Sequence, residues 1–586
     1  MIKQLSWKVG GQQGEGIEST GEIFSMALNR QGYYLYGYRH FSSRIKGGHT
    51  NNKVRISTEP VNAISDNLDV LVAFDQETID LNHHELKQNG VIIADEKFKP
   101  VKPEDCNGSL IVIPFTKIAN DLGTSLMKNM VAVGASSALL GIDEESYRGV
   151  VEEIFSRKGE AVVEKNIEAI RQGIQSFHDQ AGETVGEQLY LEKADGQNRL
   201  FMIGNDAIAL GCVAAGVRFM AAYPITPASE IMEYLIKKLP ELGGTVIQTE
   251  DEISACTMSI GSNYAGVRSL TASAGPGLSL MMESIGLSGM TETPLVVVDT
   301  QRGGPSTGLP TKQEQSDLMA VIYGTHGEIP KVVMAPSTVE EAFYDTVEAF
   351  NIAEEYQCPV IIVTDLALSL GKQTVEPLDY NQVEVRRGKF DPDQTLPPLE
   401  KNEYFKRYKV TEDGVSERVI PGMKNGIFHV TGVEHNEEGK TSESPVNRQQ
   451  QMDKRMRKLA TINDHFDRPV WKDRRHEDAD LLIVGINSTK GTIQEAIPRL
   501  EEEGLKVNHA HVRLVHPFPG EELQAEMEKA KKVVVVENNA TGQLTQLIKM
   551  NVNANHIESV LKYDGNPFIP TEIYSECKEL LVHGHV

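Results

Sequence analysis

Several short, unbroken runs of branched apolar residues dictate the architecture of this chain. LVVV (Leu295–Val298), DLLIVGIN (Asp480–Asn487) and KKVVVVENN (Lys531–Asn539) are too short for membrane spans. They are apolar on both faces, as strands buried between two layers of helices must be. Each is followed by glycines or by a helical pattern, and this alternation recurs through nearly the whole length. It predicts an α/β fold with mostly parallel sheets in three α/β domains.

The 586 residues divide accordingly. A first domain is expected over 1–182, with strands near Leu5–Val9, Asn52–Ser57, Val70–Phe74, Gly90–Ala94 and Leu110–Pro114. It has a helix near Glu18–Gln31 and a long acidic helix from about Ile142 to Asp179. Residues 183–199 form a linker. A second domain spans 200–377, with strands at Thr245–Gln248, Ser269–Ala272, Pro294–Val298 and Val360–Val363 and helices at Asp251–Asn263 and Thr338–Tyr356. Residues 378–478 are rich in proline and charge and weakly periodic, so they read as an extended crossover lying on the surface. The third domain covers 479–586, with a helix at Thr492–Glu503 and another starting near Gly542.

Charge and cysteine usage exclude some functions. A net charge of −25 argues against general affinity for nucleic acid or anionic membranes. No secretory signal pattern opens the chain, and no apolar stretch approaches membrane-spanning length. The five cysteines are far apart, with no CxxC pair, and read as reduced thiols of a cytoplasmic protein. They cannot by themselves ligate an iron–sulfur cluster, and no metal site is predicted.

Six motifs carry chemistry. GGQQGEG (Gly10–Gly16), between a strand and a helix, is either a tight turn or an anion cradle, with Gly11 and Gly14 among its backbone donors. SSRIKGGHTN places Arg44 and Lys46 beside Gly47 and Gly48, a setting suited to a phosphate-bearing ligand. In YPITP, two prolines fix the backbone around Thr226, whose hydroxyl either projects from a rigid turn or caps the next helix. Next come Glu250, Asp251 and Glu252 at the head of an apolar helix, as dipole complements or as a catalytic carboxylate. ASAGPG (Ala272–Gly277) opens a further helix at a strand end. QRGGPSTGLPT (Gln301–Thr311) presents Arg302 just past a buried strand, either as a fork for a carboxylate or in an interdomain ion pair.

In this order YPITP, the EDE-led helix, ASAGPG and QRGGPSTGLPT make the chain resemble the fused γ–α subunits of 2-oxoacid:ferredoxin oxidoreductases. The 2-oxoglutarate enzymes are the most similar. GGQQGEG and the Arg44–Gly48 loop resemble the γ-type domain, although Lys46 stands where Arg-Gly-Gly is common. The second block resembles the thiamine-pyrimidine domain. HPFP (His516–Pro519) and VVVENNATGQL (Val534–Leu544) resemble the transketolase-C-like domain. The resemblance implies oxidative decarboxylation of a 2-oxoacid, 2-oxoglutarate first and pyruvate or another 2-oxoacid as the alternative, with coenzyme A, giving acyl-CoA and carbon dioxide, with electrons passed to ferredoxin. The residues alone also allow a non-catalytic nucleotide-binding scaffold built on GGQQGEG. It also implies a shared thiamine diphosphate site. Glu252 would stand beside the pyrimidine, and Tyr223, Pro224, Ile225, Gly275, Pro276 and Gly277 would form the cofactor wall. Thr226 and Arg302 would hold the substrate's keto group and carboxylate. Ser306, Thr307 and Lys312 of the GPSTG loop are candidates for its distal end, Lys312 being otherwise an exposed lysine. No Gly-Asp-Gly occurs in the sequence. A β subunit is therefore expected to bring the diphosphate grip, Mg2+ and a 4Fe-4S cluster, in an α2β2 assembly.

Overall fold

The computed structural model describes residues 1–43, 47–181, 189–553 and 556–583. Arg44 and Lys46, named above, lie outside the described residues. The chain forms two compact units, one of Met1–Met202 with Leu370–Pro377 and Ile569–Glu572, the other of the remainder.

The first unit is built on an eight-stranded sheet. Strand Gln4–Gln12 is its spine, buried from Leu5 to Gly11. Leu68–Ala73, Leu86–Asp95 and Ser109–Ile113 follow in parallel on one side. His49–Ser57 and Tyr34–His40 are antiparallel on the other. The sheet continues through Gln373–Val375 to an edge strand at Leu200–Met202. The helix expected over Ile142–Asp179 is two helices, Glu145–Phe155 and Glu160–Ala181. Gly159, at φ 101°, turns the chain between them. The second of these crosses the wholly buried helix Lys128–Leu140. Gly134 and Gly173 permit the crossing, since a β-carbon on either would strike the carbonyl of Ile170 or Val131 respectively.

The second unit holds two sheets. In the seven-stranded sheet, Thr245–Gln248, Phe219–Ala222, Ser269–Ser273, Leu295–Gln301, Pro359–Asp365 and Val332–Met334 are consecutive parallel neighbours. The five-stranded sheet centres on Ala479–Ile486 and Ala530–Glu537, the latter buried from Val533 on. Residues 378–478 are mostly irregular, but they contain a 21-residue helix, Pro445–His465, which the periodicity argument did not foresee. Ser444 caps it and Pro445 starts it, a favourable pairing at a helix N-terminus. It is anchored on Glu292, a fully buried carboxylate that accepts from Lys454 (2.6 Å) and Lys458 (2.5 Å), both also fully buried. Among the described residues, no helix is long and apolar enough to cross a membrane.

Candidate active site

The four strands carrying the second-unit motifs are sheet neighbours and parallel, so their C-terminal ends lie along one edge, where α/β folds bind ligands. YPITP follows Phe219–Ala222, the acidic turn follows Thr245–Gln248, ASAGPG follows Leu270, and QRGG follows Val298. Thr249 N–H donates to the carbonyl of Ala222 (3.0 Å), extending the pairing to the edge itself.

Of the acids at the helix head, Glu250 is exposed and Glu252 is buried. The difference follows from capping. Asp251 is extended and its carboxylate accepts from Ser254 N–H (2.7 Å), so Glu252 becomes the first helical residue and turns inward. Its side chain lies against Gly277. A β-carbon there would come within 2.5 Å of Glu252 Oε1 and would collide with Ser273 Oγ. The glycine turn is therefore a cradle sized by the absence of one methyl group, with the glutamate as its floor.

Arg302 is buried, and its two terminal nitrogens donate to the backbone carbonyls of Thr226 (2.6 Å) and Thr307 (3.2 Å). The fork thus joins YPITP to the GPSTG hairpin, and its Nε has no hydrogen-bond partner among the described residues. Burial lowers the guanidinium pKa, with Asp317 pulling the other way. The helix after YPITP begins at Ser229 with Ala228 at its N-cap, so Thr226 does not cap it. Pro227 and Glu230 are instead held by Asn205, whose amide donates to the Pro227 carbonyl (2.7 Å) and to Glu230 Oε2 (3.3 Å). Tyr223 is exposed, and Pro224 and Ile225 are half-buried beside it. The Thr226–Pro227 and Gly304–Pro305 bonds are cis.

Ser306 and Thr307 are exposed on the hairpin, Ser306 in the left-handed region at φ 60°. Lys312, expected to face the substrate's far end, lies with its side chain against Gly565, and Asp564 opposes the lowering of its pKa by burial. The following residues were not foreseen. Gln315 is fully buried: its N–H donates to the Asn538 carbonyl (2.7 Å), and its Oε1 accepts from Asn538 N–H (2.9 Å). Its Nε2 donates to Asp365 (2.7 Å) and to the Ile486 carbonyl (3.1 Å). An isolated glutamine has no sequence signature, because its partners are remote along the chain.

In the first unit, Gly48 O accepts from Gln13 N–H (3.1 Å), which brings the Gly47–Gly48 loop against the GGQQGEG turn. Gly11 is buried in the turn and Gly14 sits at φ 96°. Glu15 fills part of this turn itself, accepting from Gln12 N–H (3.3 Å) and pairing with Lys128 (2.8 Å).

Residues 210–454 match the family described as pyruvate flavodoxin/ferredoxin oxidoreductase, thiamine diphosphate-binding. Residues 6–176 match pyruvate ferredoxin/flavodoxin oxidoreductase, and 479–573 match pyruvate:ferredoxin oxidoreductase core domain II. The chain is 33% identical to a 2-oxoacid:ferredoxin oxidoreductase subunit alpha of Sulfolobus sp, over 99% of this chain and 98% of that one. It is 36% identical to the 2-oxoglutarate synthase subunit KorA of Methanothermobacter thermautotrophicus, over 64% of this chain and 96% of that one. The solved 2-oxoglutarate:ferredoxin oxidoreductase from Magnetococcus marinus, with 2-oxoglutarate, coenzyme A and succinyl-CoA bound, superposes with a TM-score of 0.91. That match is 35% identical and covers 99% of this chain and 100% of the other. The chain belongs to the 2-oxoacid:ferredoxin oxidoreductases, as an alpha subunit.

Proposed function

We propose that this subunit builds the pyrimidine half of a thiamine diphosphate site and that the enzyme oxidatively decarboxylates 2-oxoglutarate with coenzyme A, passing electrons to ferredoxin. The observation that carries the site is Glu252, buried as the floor of a glycine cradle on the C-terminal strand edge. Glu252 would accept from the pyrimidine ring, and Gly275–Gly277 with Tyr223–Ile225 would wall it. Thiamine diphosphate supplies the carbon nucleophile and electron sink that decarboxylation of a 2-oxoacid requires. Arg302 keeps the threonine turn and the GPSTG hairpin in register, Thr226, Ser306 and Thr307 would meet the substrate beside it, and Lys312 would have to turn from Gly565 to do so. The choice of 2-oxoglutarate is supported by the KorA relative and by the Magnetococcus marinus enzyme.

The other half of the site is assigned to a β subunit bearing the diphosphate grip, Mg2+ and a 4Fe-4S cluster, in a cytoplasmic α2β2 assembly. Elements around Glu252 turn apolar side chains outward, among them Ile247, Ile253, Met258 and Leu280. Such surface is ordinarily covered by a partner. In the same reading, 1–182 is the γ-type domain, with Gly11, Gly14, Gly47 and Gly48 toward coenzyme A. Residues 200–377 are the pyrimidine domain and 479–586 the transketolase-C-like domain, joined by 183–199 and 378–478.

The test is ferredoxin or viologen reduction by the co-expressed pair over a panel of 2-oxoacids with coenzyme A. Preference for 2-oxoglutarate, abolished by Glu252→Gln, is the expected result. Turnover by the isolated chain, or full activity in Glu252→Gln, would overturn the site; preference for pyruvate would overturn only the substrate.

A further inference from the structure

Behind the cradle, the strand Leu295–Gln301 carries a group for which the half-site has no use. Asp299 is completely buried, and neither of its carboxyl oxygens has a hydrogen-bond partner among the described residues. It is level with Ser273 on the adjacent parallel strand, two residues before Gly275 opens the next helix. Asp317 comes to the same strand end. Its backbone N–H donates to the side chain of Gln301 (2.9 Å), which projects from the same face of the strand as Asp299. The Asp317 carboxyl lies against Gly275, where a β-carbon would come within 2.8 Å of it, and its Oδ2 is also buried without a partner. The charged groups acting on this pair are Glu314 and Arg302, both upon Asp317. Arg302 has its terminal nitrogens on carbonyl oxygens.

A carboxylate removed from water without a hydrogen bond or a counter-ion takes up a proton instead of staying charged. Here one proton satisfies two orphaned acceptors at once. As a carboxylic acid, Asp299 donates to the open oxygen of Asp317, and the pair carries one negative charge in place of two. We propose that Asp299 is a carboxylic acid whose proton bridges it to Asp317, and that this bridge fixes the Gly275–Gly277 turn and Arg302 in position. Burial, with the charge of Asp317 added, moves Asp299 well above the carboxylate range. Burial also raises Asp317 to about 6, with Glu314 adding and Arg302 opposing. Both aspartates are positioning residues. Their effect on turnover rests on the proposed site, whereas the shared proton does not.

Two measurements on the complex separate these. Asp299→Asn presents an amide N–H to Asp317 but has no proton to lose. It should retain most of the activity near neutral pH and lose the alkaline decline of kcat/KM. Asp299→Leu, which donates nothing, should lose about 10-fold or more at every pH. Infrared spectra edited with 13C-aspartate should show a buried carboxylic acid near neutral pH that persists in Asp317→Asn and vanishes in Asp299→Asn. Superimposable pH profiles of the parent and Asp299→Asn would overturn the positioning role. Absence of the acid band from the parent or from Asp317→Asn, or its persistence in Asp299→Asn, would overturn the shared proton independently of turnover.

Discussion

Replacing Gly277 with alanine tests whether Glu252 acts from where the fold places it. The backbone at Gly277 is not in the left-handed region, so an L-residue is tolerated there and any penalty is spatial. The new methyl would sit 2.0 Å from Ser273 Oγ, which can rotate aside, and 2.5 Å from Glu252 Oε1 and 2.7 Å from its Cγ, whereas unstrained contacts between heavy atoms lie at about 3.5–4.0 Å. Glu252 must therefore retreat by roughly 1 Å, and a displacement of that size at a reacting centre costs on the order of 100-fold in rate. Overpacking a buried site costs about 1–3 kcal/mol besides. Calorimetry on the complex should accordingly show a midpoint lowered by several degrees. Dye-reduction assays should show kcat/KM down by about two orders of magnitude. The decisive measurement is the double variant Gly277→Ala/Glu252→Gln. If alanine acts by moving the carboxylate of Glu252, the double variant is no slower than Glu252→Gln alone, because the carboxylate whose position matters is already gone. Unchanged activity in Gly277→Ala, or losses that multiply in the double variant, would refute the reasoning.

Arg302→Lys keeps the charge but cannot reach both Thr226 and Thr307 carbonyls; steady-state kinetics should show kcat/KM for the 2-oxoacid falling by an amount equivalent to about 1.5–3 kcal/mol. Glu292→Gln leaves two buried lysines beside a neutral amide, and should cost about 3–5 kcal/mol in denaturant unfolding and expose residues 378–478 to limited proteolysis. Against the opposing effect of burial, Lys454, Lys458 and Arg407 hold the Glu292 carboxyl far below its ordinary value. Its stabilisation is thus complete above the ordinary carboxylate range and fades as pH falls, and Glu292→Gln should flatten that acid limb in pH-dependent melts. Burial lowers Lys8 from 10.5 to about 8 while Glu85 pulls upward. The unfolded chain then holds the extra proton between these values, so the melting temperature should gain a rising component from about pH 8 to about 10.5 that Lys8→Met removes.

Where burial was apolar, the sequence was legible. Val360–Val363 was expected and lies within the wholly buried strand Pro359–Asp365, and the helix expected over Thr338–Tyr356 runs Val339–Tyr356, with Thr338 as a cap that accepts from Glu341 N–H (3.0 Å). Where burial was polar, it was not. The helix Pro445–His465 presents Gln451, Lys454, Arg455, Lys458 and Ile462 inward, at helical spacing but with charge in place of hydrocarbon. A period sought in apolar residues passes over such a stripe. Strand Tyr34–His40 was missed because Gly37 interrupts its run and lies against the Lys372 carbonyl, remote in sequence. At the site, the order of motifs pointed to Glu252, but only the fold showed why Glu250 differs. The engagement of Arg302 and Lys312 was invisible because their neighbours, Thr226 and Gly565, come from other segments.

The third sheet explains why those segments must meet. The GPSTG hairpin leaves the strand Leu295–Gln301 exposed on its outer side, and a loop carrying Ser306 in a left-handed conformation does not hold itself. Its return arm is gripped instead by the C-terminal sheet. Gln315 exchanges both backbone hydrogen bonds with Asn538 through its main and side chains, and its carbonyl accepts from Asn539 (2.9 Å). Asn539 is in turn fixed by Glu537 (2.7 Å), which also accepts from Leu544 and Thr545 at the head of the next helix. Asp365 closes the ring by accepting from Gln315 and from Ser488 (both 2.7 Å). The Glu-Asn-Asn sequence that ends the strand Ala530–Glu537 therefore acts at the loop bearing Arg302, through buried amides whose loss would leave several unsatisfied groups at once. The C-terminal sheet thus sets the position of Arg302, which joins the threonine turn to the hairpin.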